Sequence, residues 1–469
     1  MRRLLTLFLL IPSVLAAEES GLPFGLRSVL ELRQIPEQNL SILVRDIDSG
    51  DTLLELNAEV PRNPASTIKL VTTLVALDTL GPAYQWKTDI YAMGELSNGR
   101  LDGDLLIKGH GDPFLVTDRV WQMLRRLRQL GIQDISGDLI LDDSFFDVAD
   151  SDPGAFDNQP LRAYNVTPSA LLMNFKVVRY FFEPDIDANA VHVQVDPPLG
   201  NLEINNQLRL RNGSCRGYQR GISITPNEAI DKMTFDGRFP NGCRRYAMDR
   251  TALDHAAFAF GLFVSLWRES GGRFDGLWQH GAAPEDEDPI LSFESLPLAD
   301  QISRINKFSN NVMSRQLVYT LDAEINGAPG TEAGGVAVIE NWLASRGLES
   351  EHFVMDNGSG LSRESRMTAL QFTEILDHAW QQTYMPEFLS SMSLSGLDGT
   401  GRRRFDDRLL EGQAHLKTGS LDHVSAIAGY MQSRSGRRFS VVMMQNHEDI
   451  HRGPGDEGHI ALLKWLYEQ

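Results

Sequence analysis

Cysteine is nearly absent: 469 residues hold two, Cys215 and Cys243, and neither stands in a Cys-His motif that would make it a nucleophile. Both lie beside turn residues, in Asn-Gly-Ser-Cys and Asn-Gly-Cys, so an oxidising compartment would let them pair. Cross-linking a loop of that length stabilises a fold by roughly 3 kcal/mol in the chain-entropy picture. Long apolar runs are missing too. Beyond the first residues no stretch reaches the roughly 18 consecutive apolar side chains that cross a bilayer, which argues against an internal membrane span. Positive charge is in deficit, with 44 Lys and Arg against 63 Asp and Glu for a net charge of −19. That balance argues against a broad basic surface for nucleic acid or an anionic membrane. No internal repeat, low-complexity tract or long amphipathic C-terminal tail is evident, so any membrane association is loose at most.

What is present begins with Arg2 and Arg3, an apolar run over 4–15, and Val14 and Ala16 at the two positions that specify a cut. This is the layout of a secretory signal peptide over residues 1–16, with no cysteine at the cut to be lipidated. A soluble protein outside the cytoplasm, in the periplasm, is the expectation. With 42% hydrophobic and 23% charged residues the chain can bury a sizeable core, and its length suggests two to three domains.

Three textures follow one another. Segments 40–46 and 52–56 read as strands around an Asp-Ser-Gly-Asp turn, and Pro64-Ala65 leads into a helix over 66–80 that stops at Gly81-Pro82. Ile68, Leu70, Val71, Leu74, Val75 and Leu77 make that helix apolar around most of its circumference, so it should lie buried at the centre of a domain. Residues 86–252 carry short strand-like runs (105–107, 139–141, 191–195, 208–210) broken by Gly, Pro, Asn and Asp, with one helix near 119–130. They read as an inserted β-rich region, one or two small domains. From 253 helices return at 256–268, 302–321 and 331–346, followed by strands at 414–417, 425–432 and 439–445 and a helix at 460–467. The expected fold is therefore α/β, of the α+β kind. One antiparallel sheet is assembled from both ends of the chain (17–85 and 253–469), covered by helices and interrupted by the insert.

Three short motifs carry chemistry. In Ser66-Thr67-Ile68-Lys69 the serine and lysine share a helix face, so the amine can reach the hydroxyl and act as its base if burial or nearby positive charge disfavours the ammonium. The first helical turn also offers unpaired N–H groups to an oxyanion. In Ser309-Asn310-Asn311 a hydroxyl and a carboxamide two residues apart can relay a proton and hold an amide, although Ser and Asn are also the ordinary helix caps. In Lys417-Thr418-Gly419-Ser420, at the end of a strand, the lysine and hydroxyls suit a carboxylate and the glycine lets a substrate backbone lie close. Each motif alone is unremarkable. In this order they form the signature of the penicillin-recognising serine acyl-transferases.

Over nearly the whole mature chain the sequence also resembles the low-molecular-mass class C penicillin-binding proteins, D-alanyl-D-alanine carboxypeptidases that are often endopeptidases. Beyond the motifs, the resemblance rests on Gly103-Asp104-Leu105 to Gly111-Asp112-Pro113, Gly137-Asp138 to Asp142-Asp143-Ser144, Tyr164 to Pro168 with Asn174, Asn306-Lys307-Phe308 before Ser309, Asp356 to Arg363, and Gly396 to Thr400. It implies a transpeptidase-like domain holding inserted domains, no metal or other cofactor, peptidoglycan peptides as substrates and β-lactams as acylating inhibitors. It also implies roles: Ser66 as nucleophile, Lys69 as its base, Ser309 as proton shuttle and Asn311 on the substrate amide. Lys417 and Thr418 would hold the carboxylate, the backbone N–H groups of Ser66 and Ser420 would bind the oxyanion, Gly419 would border the substrate backbone, and Arg363 would reach the cleft. His447-Glu448-Asp449-Ile450-His451 matches the His-Glu-x-x-His zinc pattern, but it sits between a strand and Gly453-Pro454-Gly455, where a loop is the better expectation. A β-lactamase or esterase of the same superfamily, and a non-catalytic wall-binding protein, remain open at this point.

Overall fold

The computed structural model describes residues 21–216 and 221–469; the expected signal peptide lies outside the described residues. A helix α1 (Phe24–Arg33) precedes strands β1 (Leu40–Asp46) and β2 (Thr52–Leu56). The chain then enters a 3-10 turn over Ala65–Ile68, which continues as helix α2 (Lys69–Leu80). Every α2 side chain from Lys69 to Leu77 is buried, as the apolar circumference requires.

The inserted unit opens with β3 (Lys87–Ser97), β4 (Arg100–Gly109), α3 (Thr117–Gln129), β5 (Asp134–Ile135) and β6 (Leu139–Asp142). It continues through β7 (Val177–Asp185), β8 (Ala190–Asp196), β9 (Glu203–Arg211), β10 (Ile222–Pro226), β11 (Lys232–Pro240) and β12 (Tyr246–Thr251). Its strands do not end at 252. After α4 (His255–Glu269) come β13 (Arg273–Phe274), β14 (Trp278–His280) and β15 (Leu291–Glu294), and these pair with β5, β6 and β3 respectively. Helix α4 packs into the same core as α3, through Phe258, Leu262, Phe263 and Trp267. The insert therefore runs from about 87 to 294, and the return expected at 253 is placed some forty residues too early. Two three-stranded sheets, β10-β11-β9 and β12-β7-β8, complete it.

The chain returns with α5 (Leu298–Phe308), α6 (Asn311–Asn326), α7 (Glu332–Ser345), α8 (Ala369–Trp380) and α9 (Met385–Ser391). The single helix expected over 302–321 is two helices: Ser309 adopts a left-handed conformation (φ 57°) and Asn310 caps α6 by accepting from the Met313 N–H at 3.1 Å. A short strand β16 (Ser393–Leu394), a helical turn α10 (Gly401–Arg404), strands β17 (Ala414–Leu421), β18 (Val424–Gln432) and β19 (Arg438–Asn446), and helix α11 (Pro454–Tyr467) follow.

Strands from both ends close one antiparallel sheet in the order β16-β17-β18-β19-β1-β2, with Leu40 opposite Gln445. Alternate residues of β19 serve two cores. Val442 and Met444 face α2, α5, α6 and α8, while Val441 and Met443 face α1 and α11. A sheet buried on both faces explains the near-continuous apolar run of β18 and β19.

Candidate active site

Ser66 stands half-buried in the 3-10 turn, so the helix that follows carries Lys69 one turn on. The Lys69 Nζ lies 3.0 Å from Ser66 Oγ and 2.7 Å from Asn311 Oδ1, and also meets the carbonyl oxygen of Ser359. A neutral amine has two N–H donors and one lone pair. The Asn311 and Ser359 oxygens take the two donors, which leaves the lone pair for the Ser66 hydroxyl. Complete burial, reinforced by the charge of Lys417, holds the Lys69 ammonium well below its ordinary range. Asn311 is aimed from its other end, where its Nδ2 donates to the carbonyl of Tyr164 in the insert at 3.2 Å. The loop bearing Ser359 can come this close because Gly360, at φ 74°, has no Cβ to collide with the Ala65 carbonyl.

Across the cleft, Lys417 Nζ donates to Ser309 Oγ at 2.9 Å and to its neighbour's carbonyl, Thr418, at 2.7 Å. The left-handed turn at Ser309 is what swings this hydroxyl out of the α5 helix, so capping by Asn310 and the contact of Ser309 with Lys417 coexist in one corner. Burial first, then the positive charge of Arg404, push the Lys417 ammonium down to about 7. Thr418 Oγ1 donates to Thr400 Oγ1 at 2.8 Å. At Gly419 a side chain would stand 2.7 Å from the Pro64 carbonyl and 3.2 Å from the Ser66 nitrogen. The bare backbone there lets β17 lie against the Ser66 turn, with Ser420 exposed beyond it. Strand β16 pairs only with His415 and Leu416, so the Thr418–Leu421 stretch of β17 has an edge open to an added strand.

Sequence reasoning missed three groups. Thr400 and the Ser359 carbonyl belong to stretches already singled out, at Gly396–Thr400 and Asp356–Arg363, but a backbone acceptor leaves no mark in residue identity. Arg404 carried no signal beyond a basic run. It lies behind β17, donating to Ser425 Oγ at 2.8 Å and to the Gly419 carbonyl at 3.5 Å, and pairs with Asp456 of α11. Arg363 is exposed, 3.8 Å from Asp422 and over the Phe156 ring at 4.9 Å, and lines a cavity of about 610 Å³ at the β17–β18 turn. His447 and His451 do not share a helix face. His447 Nδ1 meets Asn39 Nδ2 at 2.7 Å, whereas His451 Nδ1 accepts from the His423 N–H at 2.9 Å. His451 instead clusters with His423 and Asp449, but His423 Nδ1 likewise accepts a backbone N–H, from Asp449 at 3.1 Å. Both rings are thereby fixed with the proton on Nε2, the form unsuited to ligating a metal through that atom. Cys215 and Cys243 form a disulfide, remote from these motifs in the insert.

A serine served by a lysine from its own helix, facing a strand that presents a second lysine and hydroxyls, is how the penicillin-recognising serine acyl-transferases work, and the chain is of that class. Residues 25–468 match the D-Ala-D-Ala carboxypeptidase 3 (S13) family, so the chain belongs to that family of serine-type D-alanyl-D-alanine carboxypeptidases. It is 24% identical over 457 residues to the D-alanyl-D-alanine carboxypeptidase DacB of Haemophilus influenzae, covering 95% of this chain and 94% of that one. Against the D-alanyl-D-alanine carboxypeptidase of an Actinomadura species it is 27% identical over 430 residues, covering 88% and 78%. Its fold is similar to the crystal structure of penicillin binding protein 4 (dacB) from Haemophilus influenzae, with TM-score 0.79 and 22% identity over 95% of this chain and 99% of that one. It also resembles a predatory peptidoglycan endopeptidase from Bdellovibrio bacteriovorus, with TM-score 0.52 and 16% identity over 91% and 92%.

Proposed function

We propose that Ser66 attacks the carbonyl of the penultimate D-alanine of a peptidoglycan stem while Lys69 takes the hydroxyl proton. The carrying observation is the Lys69 Nζ 3.0 Å from Ser66 Oγ with its other contacts on the Asn311 and Ser359 oxygens; in the neutral amine these two take the N–H donors and leave the lone pair to Ser66. The oxyanion lies between the backbone N–H groups of Ser66 and Ser420; losing one such donor costs roughly 3 kcal/mol of transition-state stabilisation. Lys417 and Thr418 bind the terminal carboxylate, and Ser309 relays the proton taken up by Lys69 to the departing amine, which leaves Lys69 neutral again. The C–N bond breaks, the acyl group stays on Ser66, and water releases it with Lys69 as base. Asn311 holds the substrate amide, and Arg363 lines the far end of the stem near Asp422.

The same chemistry accepts a cross-linked stem, in which the departing amine belongs to a second peptide, so the enzyme is an endopeptidase as well as a carboxypeptidase. It accepts the strained amide of a β-lactam too; a relative's structure has been determined with a β-lactam bound. Among the described residues no helix is long and apolar enough to cross a membrane, in keeping with a periplasmic enzyme. Intact-protein mass spectrometry after exposure to benzylpenicillin tests the reading. One adduct per chain, absent from Ser66→Ala, is expected. Rapid penicillin turnover without a lasting adduct, or an adduct that survives the substitution, overturns it.

A further inference from the structure

The arginines of the insert are unevenly placed. Residues 207–216 and 237–245 hold six of them, Arg209, Arg211, Arg216, Arg238, Arg244 and Arg245, and no Asp or Glu, in a chain whose net charge is −19. The fold joins these two runs twice. Strands β9 and β11 run parallel with Arg209 opposite Arg238, and residues so paired project from the same face. Their sequence neighbours Leu208 and Phe239 are buried, so both arginines stand on the outer face. Past the strands, the Cys215–Cys243 disulfide brings Cα atoms to 4.7 Å, and Arg216 and Arg244 each follow one of the linked cysteines.

Like charges side by side on a sheet are destabilising, and little here offsets them. Arg245 is engaged by Glu183 at 3.0 Å and lies over the Phe181 ring at 3.8 Å. The nearest acid on the outer face, Asp236, is one pair back along β11 and accepts from the Gly237 N–H at 2.6 Å. Arg209, Arg216, Arg238 and Arg244 are exposed and have no carboxylate partner among the described residues.

We propose that this disulfide-clamped arginine face binds the carboxylate-bearing peptides of the peptidoglycan polymer itself, holding the enzyme on the wall while Ser66 works on one stem. The identity of the polymer rests on the function proposed above. Guanidinium groups pair with carboxylates through two parallel hydrogen bonds, and the rest of this acidic chain repels an anionic polymer, so the polymer is steered to this face. A lipid surface would call for apolar anchors beside the charge. Among the described residues none of the large exposed hydrophobic side chains falls between Ile186 and Leu277.

Cosedimentation of the full chain with purified peptidoglycan sacculi tests this. The wild type should pellet at low salt and be released at high salt, whereas Arg209→Glu/Arg238→Glu/Arg244→Glu should bind at least tenfold more weakly. Sacculi whose carboxylates have been amidated should lose the wild type equally. Cleavage of a short soluble stem peptide should stay within about twofold in the variant, while release of peptides from intact sacculi falls. If the charge reversal impairs folding, seen as lost penicillin labelling, the glutamine version of the same three positions takes its place. Equal pelleting of wild type and variant, undiminished binding to amidated sacculi, or preference for phosphatidylglycerol vesicles over sacculi overturns the proposal. Salt-sensitive pelleting that persists in Ser66→Ala supports the face whatever becomes of the catalytic reading. Turnover of the soluble peptide without pelleting would sink the face and leave the catalytic reading intact.

Discussion

The side-chain oxygen of Asn311 lies 2.7 Å from the Nζ of Lys69, so the residue proposed to hold the substrate amide also constrains the amine proposed as the base. Asn311→Asp replaces a neutral acceptor with an anion and favours the ammonium form of Lys69. Acylation by benzylpenicillin at neutral pH is expected to slow by roughly 100-fold or more, with partial recovery as pH rises. Rates of adduct formation across pH decide the matter, and wild-type acylation at neutral pH would contradict it.

Lys417 costs the fold stability. Its ammonium titrates at about 7 when folded against an ordinary 10.5, so between those values the unfolded chain binds more protons and stability rises with pH. At pH 7 the penalty is roughly 4 kcal/mol before the hydrogen bonds of the lysine are counted. Lys417→Met should therefore melt at a higher temperature than the wild type near neutral pH, with a gain that shrinks toward pH 10.5, while losing carboxylate-bearing substrates. Thermal melts over that range check both signs; a lower Tm at neutral pH contradicts the account.

Gly419→Ala puts a methyl group 2.7 Å from the Pro64 carbonyl and pushes β17 away from Ser66. The expected loss in kcat is of the size of one oxyanion donor, roughly 100-fold to 1,000-fold, with little change in Tm. A variant that keeps wild-type kcat would show that the strand need not lie so close.

Arg404 acts through Lys417 and the backbone behind Ser420. Removing its charge in Arg404→Gln lets the Lys417 ammonium titrate higher, so the fall of kcat/KM on the alkaline side should move to higher pH. Arg404→Lys keeps the charge and should restore the alkaline limb but not the full kcat, since the fork to Ser425 is gone. An unmoved profile in the glutamine variant would reduce Arg404 to a structural tie.

What sequence revealed here was local. The strand-turn-helix around Ser66, the three motifs, and a sheet built from both ends were legible because periodicity and spacing carry them. The boundary at 294 was not, since β15 belongs to the insert only by pairing with β3 some two hundred residues earlier. The break at Ser309 was hidden because apolar periodicity runs on through 302–321, and a single left-handed residue does not disturb it. Arg363 lies in a stretch that resembles the family, but residue identity alone does not specify its place against Asp422 and the Phe156 ring.

The pairing of Leu40 with Gln445 has a consequence for the birth of the enzyme. The turn that carries Ser66 is synthesised hundreds of residues before the strands that bring Lys417 and Ser420 to it. The insert has its own core, so it can settle first. The cleft is complete only once the last three strands pair beside β1, so a half-made chain lacks the face that Lys417 and Ser420 contribute.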